Sequence, residues 1–293
     1  MLTFTISSHT EGGKQNWYAT SANNNKFLVG HTAHYETYVG ITNDGTPGNV
    51  TYKPADWFGR FGQWCYVIHP TAIAESAAKF TSVNTYDKAR FTFGFGQFAA
   101  HVAGGDFVLF FRDLLQNDPA KNDYYPDLEV RSNQIHQQVD GQWVNLESNS
   151  NARLMAYFNP HTDRVEDIEV LHAARFIHWC DNHPLQREIQ VKHMAQTAKG
   201  LVRRVHQAIS LEGRVDKVCL VAMDILHQGR GKKQAIVDAI AHHSDSDAYN
   251  NLLQIGAQRF PERIQTLKQT VIHLEASGNL GRTYYHDATQ TLS

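Results

Sequence analysis

The chain has 293 residues, of which 42% are hydrophobic, and a formal net charge of -2. A chain of this length buries about three quarters of the surface that it exposes when unfolded, so it can fold without disulfides or metals. The near-neutral charge does not indicate nucleic acid as a partner, and three widely spaced cysteines exclude a disulfide framework, leaving room for one disulfide at most.

The N-terminal residues, 1–17, lack the basic and apolar regions of a secretory signal peptide, and no apolar run is long enough to span a membrane. We therefore expect a protein that is cytoplasmic in its producer and reaches the periplasm or cell wall through specialised export or cell lysis. No histidine pair has the spacing of a metal site, so neither a metal nor another cofactor is expected.

Short strand-like pieces separated by polar turns occupy residues 1–53. We predict a β- and loop-rich N-terminal collar here, either separate or packed on a main domain at residues 54–293. Helical spacing begins after Asp56, and the dipeptide His69-Pro70 predicts a break followed by a second short helix.

Glu75 lies in that second helix among alanine, isoleucine and phenylalanine residues. Apolar surroundings disfavour the charged form of a carboxyl group, which suits a general acid. A surface glutamate on an amphipathic helix explains the same local pattern, so the segment alone leaves both interpretations open.

The run FTFGFGQF, residues 91–98, alternates large and small side chains and predicts a strand. Its aromatic residues form one face that packs on a core. Thr92, Gly94 and Gly96 form a bare opposite face that a polysaccharide could approach. The alternative is a glycine-rich strand packed against another backbone.

The remaining chain reads mainly as helices. Gly104-Gly105-Asp106 begins an apolar helix, and a hairpin at residues 130–147 turns at Asp140-Gly141. Helices dominate from about residue 165. One very apolar helix contains Asp224, whose charge needs a partner. The last long helix has a core stripe at Ile264, Leu267, Val271 and Leu274.

Several of these segments, taken in order, resemble the bacterial chitosanases of the lysozyme-like superfamily, over residues 57–281. The matching segments are Glu75, Asp87, Phe91-Thr92-Phe93-Gly94 with Phe98, Gly104-Gly105-Asp106, the Met223–Gly229 segment, and a helix led by Arg263 that ends in Ser277-Gly278-Asn279-Leu280. The FGQF segment is also similar to a Gly-x-x-Gln segment of peptidoglycan-cleaving transglycosylases and lysozymes.

The resemblance implies an α+β, mainly α fold: a lysozyme-like two-lobed helical catalytic domain at residues 54–293, with a small β-hairpin lobe at the cleft. It implies inverting hydrolysis of a β-1,4 bond between amino sugars, with Glu75 as acid and Asp87 as base. Thr92 would help to hold the attacking water, and we expect the two carboxyl groups to lie roughly 6.5–9.5 Å apart, or more in an open cleft. A supporting ion network would contain Asp224 and Arg263. The expected substrate-binding residues are Tyr86, Arg90, Gly94, Gly96 and Gln97.

We expect peptidoglycan as the substrate, so that the protein is a muramidase acting as an antibacterial effector or an endolysin. An effector would also have an immunity protein as its partner. The alternatives are a chitosanase and a non-catalytic cell-wall-binding or phage structural protein, and cleavage by a transglycosylase mechanism stays open. Neither nucleic-acid binding nor membrane insertion is expected.

Overall fold

A computed structural model describes residues 1–46, 48 and 50–293, and this part of the chain has an α+β fold. It forms two compact units, each made from two segments. The first unit contains Met1–Thr51 and Lys79–His193, and the second contains Tyr52–Ala78 and Met194–Ser293. The expected collar therefore shares a unit with residues 79–193, and the unit boundaries differ from the expected one at residues 53 and 54.

A seven-stranded antiparallel sheet organises the first unit, and each strand pairs with its neighbours in sequence. The strands are β1 Phe4–Glu11, β2 Lys14–Ser21, β3 Lys26–Tyr35, β4 Tyr38–Thr42, β5 Val83–Asn84, β6 Thr92–Phe93 and β7 Phe98–Ala99. The pairing of Thr42 with Asn84 joins the N-terminal strands to the segment that contains Asp87.

The run FTFGFGQF is not one strand, because the chain reverses direction between β6 and β7 at residues 94–97. Its aromatic residues are buried, as predicted. Thr92, Gly94 and Gly96 are buried as well, so the predicted bare face is wrong. Gly94 has a φ of 90°, and a Cβ there would lie 2.4 Å from Gln190 Oε1, which explains the glycine by close packing.

The helices of the first unit pack phenylalanine rings against this hairpin. Phe91 stacks on Phe158 with ring centroids 4.6 Å apart, and Phe93 contacts Phe176 at 4.9 Å. The helices are α3 Asp106–Asn117, α4 Lys121–Tyr124, α5 Ala152–Phe158 and α6 Asp167–Asn182. The next helix, α7 Pro184–His206, contains the division between the two units at residues 193 and 194.

A three-stranded sheet in the first unit confirms the predicted hairpin. Its strands are β8 Leu128–Arg131, β9 Gln134–Val139 and β10 Gln142–Asn145. Asp140 and Gly141 have φ angles of 50° and 79°, as expected for an Asp-Gly turn between antiparallel strands.

The second unit is mainly helical. After a 3-10 turn at Pro54–Asp56 its elements are α1 Phe58–Phe61, α2 Trp64–Ser76, α8 Asp216–Gln228, α9 Lys233–Ile240, α10 Asp245–Gln254, α11 Pro261–Ala276, β11 Tyr285–His286 and β12 Thr291–Leu292. Helix α2 packs against α8 and α11. The predicted core stripe of α11 is buried, which confirms the helical spacing from which it was derived.

Pro70 lies inside α2, so the predicted break at His69-Pro70 is wrong. A proline inside a helix removes one hydrogen bond and costs about 3 kcal/mol or more. Burial of apolar side chains along α2, from Trp64 to Ala72, offsets that cost. One continuous helix therefore leads to Glu75.

Within the described residues, none of the helices combines the length and apolar character of a membrane span. Cys65, Cys180 and Cys219 are free and buried.

Candidate functional site

Glu75 occupies the last turn of α2, next to the C-cap residue Ala77, which has a left-handed backbone with φ 51°. The Glu75 side chain is 17% exposed. It lines a cleft of about 550 Å³ that also includes Gln228 of α8 and the start of α11. A half-buried carboxyl group in a concave polar site can contact a bound substrate and water.

Arg263, in the first turn of α11, joins Glu75 to Asp224. Its Nη2 atom lies 2.8 Å from Glu75 Oε1 and 2.6 Å from Asp224 Oδ1. Its Nε atom donates to Asp224 Oδ2 at 3.2 Å. Two parallel N–H donors on one carboxylate fix the plane of the guanidinium group. The structure therefore brings together the three charged residues that the sequence grouped as an acid and its supporting network.

Asp224 is fully buried at the centre of this network. It accepts hydrogen bonds from Thr71 Oγ1 at 3.0 Å and from Arg230 Nε at 3.2 Å, besides those from Arg263. Burial acts to raise the pKa of Asp224, but the positive charges of Arg263 and Arg230 outweigh it and hold that pKa below its usual range. Asp224 is thus a fixed negative charge that orients two arginines.

Sequence reasoning missed three members of this network: Thr71, His227 and Arg230. His227 Nε2 lies 3.7 Å from Glu75 Oε1. Arg230 follows Asp224 by six residues, in the turn that ends α8 at Gly229. A lone aspartate in an apolar helix followed by an arginine in the next turn was the available signal for Arg230. Thr71 gave no signal, because its contact with Asp224 spans 153 positions of the chain.

Asp87 belongs to the first unit and lies in the loop after β5. Its Oδ1 atom accepts from the backbone N–H of Ala89 at 2.7 Å, and its Oδ2 atom accepts from Asn84 Nδ2 at 3.3 Å. Both bonds orient a carboxylate that is still partly exposed. Asp87 also lines a cavity of about 510 Å³ in this unit.

Thr92 and Tyr86 lie near Asp87, since both contact Asn84. Thr92 pairs with Asn84 across β5 and β6, and the Tyr86 N–H donates to Asn84 Oδ1 at 3.0 Å. Burial, and then the negative charges of Asp44 and Asp87, raise the pKa of Tyr86. Tyr86 also lines the cavity that contains Asp87, so a substrate there would meet both side chains.

The other expected substrate-binding residues make contacts within the first unit. Gln97 Nε2 donates to Ser82 Oγ at 2.9 Å and to Gly94 O at 3.1 Å. The Arg90 carbonyl accepts from Asn159 Nδ2 at 3.4 Å. Gly96 is buried in the turn between β6 and β7. These contacts hold the turn between β6 and β7 and the backbone at Arg90, and the lining of the cavity that contains Asp87 is made by other residues.

Glu169 of α6 holds the base of the Asp87 loop, and sequence reasoning missed it. Its Oε1 atom accepts from the backbone N–H of Ile41 at 3.1 Å and from the hydroxyl of Thr85. Its Oε2 atom is buried without a hydrogen-bond partner. Burial raises the pKa of Glu169 to about 8, with the hydrogen bonds from Thr85 and Ile41 acting in the opposite direction. Glu169 therefore connects α6 to β4 and the loop, and its raised pKa favours the protonated form at neutral pH.

Within residues 1–46, 48 and 50–293, no group of three or more histidine, cysteine, aspartate or glutamate side chains could hold a metal ion. The sequence matches no protein-family model, no curated protein and no solved structure. The chemistry of the two carboxylate sites is therefore the basis for a proposed function.

Proposed function

We propose that the protein is an inverting glycoside hydrolase that cleaves β-1,4 bonds of an amino-sugar polysaccharide. The observation that carries this proposal is the Glu75 carboxyl group in an open cleft, held by Arg263, which is itself fixed by the buried Asp224. The motifs that resemble chitosanases support a lysozyme-like two-lobed fold for the catalytic part of the chain.

Glu75 is the proposed general acid. It would donate its proton to the glycosidic oxygen and become a carboxylate as the bond breaks. Arg263, whose Nη2 atom lies 2.8 Å from Glu75 Oε1, would stabilise the negative charge that develops on Glu75 during this step. The attraction between Arg263 and Glu75 would thus be stronger in the transition state than in the bound ground state, because negative charge develops on Glu75 as the proton leaves.

Asp87 is the proposed general base. It would accept a proton from a water molecule, whose oxygen attacks the anomeric carbon on the face opposite the leaving group. The Ala89 N–H and the Asn84 amide orient the Asp87 carboxylate, leaving its remaining lone pairs for that water. Thr92, which pairs with Asn84, is the proposed second contact of the water.

We propose peptidoglycan as the substrate, so that the protein acts as a muramidase on cell walls after export or lysis. The charges around Glu75 support this choice over polycationic chitosan. Two arginines, Arg259 and Arg263, line the cleft with Glu262 and with Glu75, which carries a proton as the acid, so the formal charge of these residues is +1. A polycation gains no net attraction from such a cleft, whereas Arg259, which is exposed, can contact an anionic stem peptide.

Chitosan is the second candidate substrate, and one observation favours it. The cavity that contains Asp87 is lined by a second acid, Glu36. These two carboxylates outnumber the one lysine of the lining, Lys88, so the cavity attracts the ammonium groups of chitosan.

The test is product analysis with the purified full-length chain. Purified cell walls and chitosan are incubated separately, and released fragments are identified by mass spectrometry and by reducing-end assay. The proposal predicts muropeptides with reducing muramic ends. Release of glucosamine oligomers from chitosan, with nothing released from cell walls, would favour the second candidate. Muropeptides with anhydro ends would indicate a transglycosylase mechanism instead of hydrolysis. Release from neither polymer would contradict the proposed function and favour a binding protein.

A further inference from the structure

Three tyrosines surround the cavity that contains Asp87, and two of them come from the N-terminal strands. Tyr35 and Tyr38 flank the two-residue loop between β3 and β4, where they pair directly across the hairpin. Directly opposed residues of an antiparallel pair project from the same face. Tyr86 lies on the neighbouring loop, two residues after Asn84, and lines the same cavity.

Close backbone packing holds the hairpin against that loop. A Cβ on Gly40 of β4 would lie 2.5 Å from Thr85 Oγ1, so only glycine permits this approach. The Ile41 N–H donates to Thr85 Oγ1 at 2.7 Å, and the Thr85 N–H donates to Ile41 O at 3.0 Å. The Val39 N–H donates to Thr162 O at 2.8 Å, which anchors the same edge of the strand nearer to the hairpin loop. The tyrosines of the hairpin are therefore fixed near Tyr86 and Asp87 within one unit.

We propose that Tyr35, Tyr38 and Tyr86 form a binding subsite for one hexopyranose ring of the glycan, with hydroxyl groups of that sugar donating to Asp87 and Glu36. This inference rests on the proposed function. Tyrosine rings offer flat apolar surfaces with polar edges, and Tyr35 is 54% exposed although it is a large aromatic residue.

The polar groups of the cavity favour a sugar over other planar ligands. Glu36 and Asp87 place two hydrogen-bond acceptors beside the rings, and together with Lys88 they give the lining a formal charge of -1, which disfavours a phosphate or another anion. A neutral ring with several hydroxyl donors satisfies both acceptors, while its apolar face covers a tyrosine. A volume of about 510 Å³ is in the usual range for ligand cavities and can admit such a ring.

The test measures binding without turnover. The parent is the full-length chain with Glu75→Gln, and the probe is the β-1,4-linked tetramer of N-acetylglucosamine, titrated by NMR or calorimetry. Tyr35→Ala and Tyr38→Ala are expected to weaken the Kd roughly tenfold each. Tyr35→Phe and Tyr38→Phe keep the ring and should bind within about twofold of the parent.

The matched control is Tyr284→Ala, which truncates a tyrosine that is 47% exposed in the second unit and should leave the Kd unchanged. Tyr35→Ala removes an exposed side chain and preserves the fold even if Tyr38→Ala does not. Equal Kd values for Tyr35→Ala and Tyr284→Ala, or no binding by the parent, would overturn the subsite. Failure of the proposed function is measured separately. In that case the Glu75→Gln variant would release fragments from cell walls as fast as the wild type.

Discussion

Asp224 and Glu169 are both fully buried carboxyl groups, yet the surroundings of Asp224 favour its ionised form and those of Glu169 favour its neutral form. Asp224 faces two guanidinium groups, and its pKa lies below the usual range although burial acts against this. Glu169 faces one hydroxyl and one backbone N–H, and burial raises its pKa to about 8. Burial alone therefore does not determine ionisation, because the charge of the partner decides whether a buried acid keeps its proton.

The two buried acids hold the two proposed catalytic residues in place in different ways. In the second unit a permanent charge on Asp224 fixes Arg263, which contacts Glu75. In the first unit a neutral Glu169 fixes Thr85, two residues before Asp87. The support of Arg263 depends on the charge of Asp224, whose pKa is lowered by two arginines, whereas the support of the Asp87 loop depends on one proton of Glu169.

The largest expected effect is that of Asp224→Asn. It leaves Arg230 buried without a compensating charge and Arg263 with Glu75 alone, and the loss of one partner of a buried ion pair costs about 3–5 kcal/mol. Urea unfolding at pH 7 measures the change in the free energy of unfolding. The control is Glu129→Gln, which breaks the exposed pair of Glu129 with Arg131 and should cost less than about 1 kcal/mol. Equal costs for the two variants would show that the network contributes nothing to stability.

Glu169→Gln should change the pH dependence of stability. Between pH 4.5 and about 8 the unfolded chain carries an ionised Glu169, while the folded chain keeps the proton. Over this window the wild type loses on the order of 1.4 kcal/mol of stability from this group for each pH unit as pH rises. Glutamine cannot ionise, so the variant should gain stability relative to the wild type as pH rises, with little difference below pH 4.5. Urea unfolding curves of both proteins at pH 4, 6 and 8 measure this slope, and parallel curves would contradict the protonated state of Glu169.

Arg263→Lys keeps the positive charge but removes the planar pair of donors on Asp224. Because a hydrogen bond to a charged group contributes roughly 1.5–3 kcal/mol, kcat should fall at least tenfold. Arg259→Lys changes the same residue type in the same cleft and should keep kcat. If both variants have the kcat of the wild type, Arg263 does not position or stabilise Glu75.

The smallest effect is expected at the mouth of the cleft. Arg259→Glu reverses one exposed charge, which should weaken binding of peptidoglycan severalfold and improve binding of chitosan, because an exposed charge contributes at most about 1 kcal/mol. KM values for the two polymers at low salt measure the change. A higher KM for peptidoglycan together with a lower KM for chitosan would show that Arg259 contributes to the choice of polymer. Unchanged KM values would show that other residues determine that choice.

The sequence predicted those parts of the fold that depend on interactions between residues close together in the chain. The stripe of α11, the start of α3 after Gly105 and the Asp140-Gly141 turn were all predicted from periodicity, capping or turn chemistry. Pro70 was misread because tertiary burial of α2 outweighs the intrinsic cost of a proline. The pairing of Thr42 with Asn84 joins segments that are distant in sequence through a strand of two residues, and no local pattern encodes it.

The residues of the candidate site also differ in how far the sequence could predict them. A buried aspartate in an apolar helix requires a cation, so the contact of Asp224 with Arg263 could be expected. The role of Glu169 could not be expected from the sequence, because its position in α6 looks like that of any acidic residue in a helix. Glu169 is enclosed by the close packing of β4 against Thr85, which Gly40 permits.

The most direct test of the account compares two glutamates of one cleft. Glu75→Gln and Glu262→Gln each remove one carboxyl group from the lining of the same cavity, but it is the Glu75 carboxyl group that pairs with the Arg263 guanidinium group. Release of reducing ends from purified cell walls, with folding checked by circular dichroism, measures turnover for each variant. We predict that Glu75→Gln lowers turnover about 10²–10⁴-fold while Glu262→Gln stays within about twofold of the wild type. Turnover by a folded Glu75→Gln variant at the wild-type rate would contradict the account.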